Sequence, residues 1–303
     1  MKPTLLVLAA GMGSRYGGVK QIDAVGKNNE CLLDFATFDA KRSGFGKVVY
    51  VIRKDIEQDF RARLFDRVAA HFDAEYVFQT QDSLLTQDEC KACASRQKPW
   101  GTIHAVLCAE QALGASPFAV INSDDYYGRD AFDTLGRYLD SLSPQSTEHA
   151  MVGYVLGNTM SRSGSVSRGV CQVQNGELVS ITEHTKIFYE GNGIVSELNG
   201  QRLALTGKEW VSMNLFAFNS TAFGPFHEYW EDFKRTSLAD SKKEALLPEA
   251  ASRIVQQKQG GIKFFTSTET WFGMTYPQDR DIVKAEIAKK IDSGYYPNHL
   301  WEN

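Results

Sequence analysis

Residues 4 to 21 read TLLVLAAGMGSRYGGVKQ, an apolar run that breaks into four glycines with one arginine and one lysine among them. A strand that ends in glycines leaves bare backbone N–H groups at the carboxyl edge of a sheet, and without Cβ atoms in the way phosphate oxygens reach them. Arg15 adds a planar fork of positive charge and Lys20 a point charge, so the chemistry on offer is the grip of a polyphosphate. Neither common phosphate loop accounts for the stretch. After Gly11 and Gly13 the third place of G-x-G-x-x-G holds Tyr16, and Val19 stands between Gly18 and Lys20 where a Walker loop has none.

A second candidate lies in PFAVINSDDYYG (117–128), where Asp124 and Asp125 follow an apolar strand. Carboxylates at a strand's carboxyl end beside a phosphate loop are where Mg²⁺ would bridge phosphate oxygens. Between loop and carboxylates, KPWGTIHAVLCAEQAL (98–113) puts Gly101 and Thr102 at the head of a helix whose N–H groups would face the same edge. His104 on that helix either approaches the ligand or packs. Cys90 and Cys93 in CKAC have redox or zinc spacing, but the sequence offers no second CxxC or HxxxH to complete four ligands, so they read as an ordinary helix or loop pair.

For these residues to meet, the elements between them must build one sheet. Short apolar runs at 5–9, 48–52, 74–78 and 118–122 predict buried strands, and helical spacing at 34–43, 55–71 and 101–113 separates them. This alternation predicts βαβ units, hence an α/β fold with a doubly wound, mostly parallel mixed sheet. From about residue 149 strands are predicted at 150–156, 170–174, 177–183 and 210–218, with an Asn-Gly hairpin signal in QNGEL (174–178). They read as an antiparallel lobe added to the first sheet. Helices return at 220–235, 245–258 and 279–292, with a strand at 262–267. No Pro- or Ser-rich linker cuts the chain, so the expectation is a single domain, 1–303, with halves over about 1–148 and 149–278 and a C-terminal helix over about 279–292 followed by a tail.

At 303 residues and 43% hydrophobic, the chain can bury a substantial core. Its 33 Lys+Arg against 37 Asp+Glu give a net charge of −4, so the overall field favours neither nucleic acid nor an anionic membrane, and phosphate binding must be local. TLLVLAA is far too short to span a bilayer and has no basic n-region or cleavage site, and the five cysteines are odd in number and scattered. The expectation is a reduced, cytoplasmic protein without nucleic-acid or membrane partners. Its oligomeric state stays open, a homo-oligomer included.

LAAGMGSRYGGVKQ resembles the signature of the sugar-phosphate nucleotidyltransferases, L-A-x-G-x-G-[ST]-R followed after a variable gap by Lys, a family of GT-A-like fold. The resemblance implies that Ala9, Ala10, Gly11, Gly13 and Ser14 line the nucleoside and phosphates of a triphosphate. It further implies that Arg15 and Lys20 neutralise the departing pyrophosphate, that Asp124 with Asp125 beside it holds Mg²⁺, and that Gly101 and Thr102 contact the nucleoside. The four-residue gap between Arg15 and Lys20 is shorter than in thymidylyl- and uridylyltransferases acting on glucose 1-phosphate and closer to molybdenum-cofactor-type guanylyl- and cytidylyltransferases. Lys98-Pro99-Trp100-Gly101 stands where the thymidine and uridine enzymes read their base with Gln-Pro-x-Gly, so the nucleotide stays open. Trp100, Tyr126, Tyr127, Phe188 and Tyr189 are aromatics that core or rim claims by default.

RGVCQVQNGELVSITEHTK (168–186) is similar to the family's hairpin that ends in Glu-Lys. Glu183 fits the Glu that binds sugar hydroxyls, while His184 stands in the place of the Lys that binds the acceptor phosphate and Lys186 comes two residues later. In ETWFGMTYPQD (269–279), similar to the family's W-x-D-x-G, Gly273 occupies the position of the second metal-binding Asp. Asp279 or Asn214 replaces it, or the metal is held by one carboxylate with phosphates and water. Together these residues imply a Mg²⁺-dependent nucleotidyltransferase that joins a nucleoside triphosphate to a phosphorylated acceptor, a sugar 1-phosphate first of all, and releases pyrophosphate. Two other readings stay open: a nucleotide-sugar glycosyltransferase using Asp124 and Asp125 as its metal pair, and a regulatory nucleotide-binding module without turnover, which Gly273 encourages.

Overall fold

Leu5, Leu6 and Val7 are all fully buried, Leu5 and Val7 on one face of the sheet and Leu6 on the other, because helices cover both sides. The computed structural model, which describes residues 1–11, 22–267, 269–274 and 276–302, begins with this strand, β1 (Thr4–Leu8). There follow α1 (Leu32–Arg42), β2 (Lys47–Ile52), a helical stretch over 54–69, β3 (Ala74–Phe78), α2 (Gln87–Ala92), α3 (Thr102–Cys108) with a further turn at Glu110–Leu113, β4 (Phe118–Asn122), β5 (Asp125–Tyr126) and α4 (Arg129–Ser141). The second half comprises β6 (Glu148–Val155), β7 (Val166–Gln174), β8 (Glu177–Glu190), β9 (Gly193–Leu198), β10 (Gln201–Leu205), β11 (Trp210–Phe218), α5 (Phe223–Ser237), α6 (Leu247–Gln256), β12 (Gly261–Thr266), β13 (Phe272–Gly273) and α7 (Asp279–Asp292).

The strands form one continuous sheet in the order β10-β9-β8-β12-β6-β11-β4-β1-β2-β3, with β7 paired to β11 and β8, while β5 and β13 make a separate small sheet. The block β3-β2-β1-β4 is parallel, β11 runs antiparallel to β4, and the second half adds antiparallel pairs β7–β8, β8–β9 and β9–β10. Helices α1, α4 and α7 cover one face and α3, α5 and α6 the other.

Several elements differ from the sequence reading, each for a physical reason. The expected helix at 55–71 contains a π turn at Arg61–Phe65, and the extra residue keeps Phe60, Leu64 and Val68 turned to the core. Helix α4 is not among the predicted elements, although Ala131, Phe132, Leu135, Gly136 and Leu139 form a buried stripe of helical period along it. The hairpin β9–β10 is also new. It turns at Asn199-Gly200, with φ of 52° and 77°, the same geometry that Asn175-Gly176 gives the β7–β8 turn at 54° and 75°. β10 is largely exposed, so it has little apolar alternation by which to be read. After α7 the tail returns to the core: Tyr296 packs edge-on against Phe35, Trp301 against Phe38, and the Trp301 indole donates to Asp34. Among the described residues no helix is long and apolar enough to cross a membrane.

Candidate active site

From β1 the chain builds outward to β2 and β3, then returns to lay β4 on the opposite side of β1. Such a reversal of strand order opens a crevice at the carboxyl ends of the two central strands. Leu8 pairs with Asn122, so the segment after β1 and the segment after β4 leave the sheet side by side. Ala9 and Ala10 are buried there, and the Ala9 amide extends the ladder by donating to Val51 O at 2.8 Å. Gly13, Ser14, Arg15 and Lys20 lie outside the described residues. A Cβ built at Gly11 would meet no described atom within 4 Å, so packing within the described chain does not demand glycine there.

Across the crevice, Asp125 is 6% exposed and Asp124 half-buried. Asn122 Nδ2 donates to Asp125 Oδ2 at 2.8 Å, and the Tyr127 hydroxyl lies 3.2 Å from the same oxygen. Asn214, at a bulge in β11 with φ 60°, donates in turn to Asn122 Oδ1 at 3.1 Å, so it joins Asp125 through one intermediary. Gly273 is the register partner of Asp125 across the β5–β13 pair, and a Cβ there would fall 2.5 Å from Asp125 Oδ1. The residue expected to supply a second carboxylate is thus the one whose bareness lets Asp125 take this position. Among the described residues no three His, Cys, Asp or Glu side chains converge on one point. A single carboxylate is enough for Mg²⁺, which keeps water and phosphate oxygens for the rest of its shell.

Beside Ala10 opens a cavity of about 470 Å³ whose walls include Arg53, Lys54, Gln79, Gln81 and Trp100. Its frame is rigid. Arg96, buried and stacked 3.9 Å from the Trp100 ring, donates to the carbonyls of Lys98, Pro99, Asp240 and Lys243. His104 is fully buried, and burial pushes its pKa down to about 4, so the ring is neutral. Its Nε2 faces the Ser83 carbonyl at 2.9 Å and must carry the proton, which leaves Nδ1 to accept from Gln79 Nε2 at 3.0 Å. Gln79 Nε2 also donates to Gly101 O at 3.2 Å, so both amide hydrogens are used and Oε1 is the group left to accept. His104 therefore positions a cavity residue, settling the alternatives the sequence left open.

Gly101 and Thr102 also hold the segment at 245–247. Gly101 has φ 108°, a Cβ there would lie 2.4 Å from Ala245 O, and Trp100 and Ile103 pair with Ala245 through their backbones. Thr102 Oγ1 accepts from Leu247 N at 2.7 Å. Trp100, Tyr126 and Tyr127 are each at most 2% exposed and belong to the core.

On the added lobe, Glu183 of β8 lies opposite Gly169 of β7, and a Cβ at Gly169 would stand 3.4 Å from Glu183 Oε2. Burial pushes the Glu183 carboxyl up to about 7; Arg168 opposes the rise and Glu249 adds to it. Strand alternation turns His184 to the other face, where Nδ1 lies 2.7 Å from Ser196 Oγ and burial holds its pKa down. Lys186 is not brought to Glu183. It is exposed and ion-paired with Glu197 of β9 at 2.6 Å. The sequence reading missed Arg53, Gln79, Gln81 and Arg168; for Arg168 the available signal was a cation set within an otherwise apolar strand alternation.

Compared by sequence with family models and with curated proteins, the chain matches none. By structure it is similar to an inositol-1-phosphate CTP transferase from T. maritima, at 12% identity and TM-score 0.61 over 97% of each chain. It is similar to a protein from Bacillus anthracis described as a glucose-1-phosphate thymidylyltransferase, at 14% identity and TM-score 0.62 over 94% of each chain. A UDP-glucose pyrophosphorylase solved with UDP-glucose matches at 16% identity and TM-score 0.59, over 96% of this chain and all of that one. Along nearly its whole length the chain has the fold of these three proteins.

Proposed function

We propose that the protein is a Mg²⁺-dependent nucleotidyltransferase that transfers a nucleoside monophosphate from a triphosphate to a phosphorylated small molecule, with a sugar 1-phosphate as the acceptor class, and releases pyrophosphate. The observation that carries this is the Leu8–Asn122 register, which sets the start of the glycine loop beside Asp124 and Asp125 at the switch point of the sheet. The three structural neighbours support it by what their names say they act on.

In this reading an acceptor phosphate oxygen attacks the α-phosphorus as the bond to the bridging oxygen breaks, and the electron pair leaves with pyrophosphate. A phosphate is already anionic at neutral pH, so no protein base is required. The protein's part is alignment and charge. Ala9, Ala10, Gly11, Gly13 and Ser14 receive the triphosphate, and Arg15 and Lys20 offset charge on the leaving group. Asp124, with Asp125 beside it, would hold Mg²⁺, which supplies charge neutralisation on phosphate oxygens. Gln79 and Gln81 face the nucleoside cavity, and Glu183 binds acceptor hydroxyls. The test is pyrophosphate release with each of ATP, CTP, GTP, UTP and dTTP against a panel of phosphorylated sugars and cyclitols in the presence of Mg²⁺. Release with at least one pair is expected; none from any pair would overturn the proposal.

A further inference from the structure

A second cavity, of about 230 Å³, lies between the loop 158–163, β13 and the start of α7, with Arg162, Arg168, Trp271, Gly273 and Asp279 in its walls. Arg168 is 8% exposed, and a guanidinium does not shed its charge when buried. Its compensation is neutral: Nε donates to Thr159 Oγ1, Nη1 to Ser167 O and Nη2 to Thr159 O. Those bonds use three of five N–H groups, and each goes to a neutral oxygen. Trp271 stacks against it, ring centroid 5.0 Å from the guanidinium carbon. Trp271 is also 8% exposed, and among the described residues its buried indole N–H has no partner. A buried donor left unmade is costly, and a buried cation whose direct partners are all neutral relies on carboxylates at longer range. One cavity wall thus carries two idle N–H groups of Arg168 and the idle indole N–H of Trp271, donors that an anion in the cavity would take up.

Three observations say which anion. Asp124, Asp125 and Glu183 act on Arg168 at longer range, so the cavity adjoins the crevice described above. Gly273 belongs to the cavity wall and also faces Asp125. A carboxylate at that position would set a negative charge against the anion, which gives Gly273 a second reason to be bare. Lys186, the cation that the family resemblance offers to the acceptor phosphate, is turned out to Glu197. Asp279 is the one carboxylate of the lining; its Oδ2 accepts from Tyr276 N at 2.7 Å, and Arg162 and Arg168 outnumber it.

We propose that this cavity seats the phosphomonoester group of the acceptor, with Arg168 and the Trp271 indole N–H as its donors. The word acceptor rests on the transferase reading above; the binding of an anion does not. The first experiment needs no turnover. The full chain is labelled with ¹⁵N at its tryptophan indoles, the Trp271 resonance is identified by its loss in Trp271→Phe, and inorganic phosphate and glucose 1-phosphate are titrated separately at constant ionic strength. A saturable shift of that resonance is expected, weakened about tenfold or more in Arg168→Met and less in Arg168→Lys. A resonance that does not move, or moves alike in both variants and wild type, overturns the seat. If Arg168→Met fails to fold, Arg168→Lys carries the comparison.

The second experiment is kinetic. Arg168→Lys should raise the acceptor KM by about tenfold and leave the triphosphate KM within about threefold. An equal rise in both overturns the assignment. Turnover with an unmoved Trp271 resonance removes the seat and leaves the transferase reading standing. Phosphate binding at Trp271 in a protein that releases no pyrophosphate removes the transferase reading and the acceptor with it.

Discussion

Gly273→Asp restores the carboxylate of the family signature, and the structure predicts that the protein is harmed by it. A Cβ at this position lies 2.5 Å from Asp125 Oδ1, 2.9 Å from Trp271 Cζ2 and 3.1 Å from Asp124 O, where ordinary contact starts at 3.4 Å. None of the three retreats freely. Asp125 is hydrogen-bonded by Asn122, Trp271 is buried, and Asp124 O accepts from Met274 N at 2.8 Å. Overpacking of this kind costs about 1–3 kcal/mol. The new carboxylate would also meet that of Asp125, and two such charges about 4 Å apart repel by about 4 kcal/mol at an effective dielectric constant of about 20. A shared proton caps the second figure. The expected loss is about 3–5 kcal/mol at neutral pH, read by urea unfolding. Gly273→Ala isolates the overlap and should lose about 1–3 kcal/mol. The double variant Gly273→Asp with Asp125→Ala should recover most of the loss, since the vacated carboxylate makes room. A Gly273→Asp protein within about 0.5 kcal/mol of wild type would refute the account of why this position is bare.

Other expectations follow from the same geometry. The Glu183 carboxyl titrates at about 7 when folded against 4.5 when free, so its ionised form destabilises the folded chain; the cost is absent below the lower value and complete above the higher. Glu183→Gln should therefore gain up to about 3 kcal/mol of stability above neutral pH and nothing in acid, and a difference that stays flat with pH in urea titrations would sink this. Gly101→Ala forces a side chain into a backbone conformation reserved for glycine and against Ala245, for an expected loss of about 2–4 kcal/mol; thermal unfolding indistinguishable from wild type would contradict it. Arg15→Ala and Lys20→Ala should each lower kcat/KM for the triphosphate by about 2–4 kcal/mol of transition-state stabilisation, and activity within a few-fold of wild type in both would end their proposed role.

The local pattern of the sequence determined the parallel core. Runs such as 118–121, apolar at every position, must be buried on both faces, so β1 and β4, with Asp124 and Asp125 just beyond it, were legible without coordinates. What the sequence could not decide were contacts between residues far apart in the chain. Gly273 read as a missing carboxylate, and only the β5–β13 pairing turns it into the space that Asp125 occupies. Gly101 read as the head of a helix, and only the fold shows Ala245 pressed against it. His104 could bind or pack until Ser83 and Gln79 fixed its tautomer. Arg168 gave no more than a cation on a strand, because burial, the neutrality of its partners and the idle indole of Trp271 are properties of a surrounding that three separate segments build together. Periodicity is written along the chain, whereas desolvation and its compensation exist only once the chain has closed on itself.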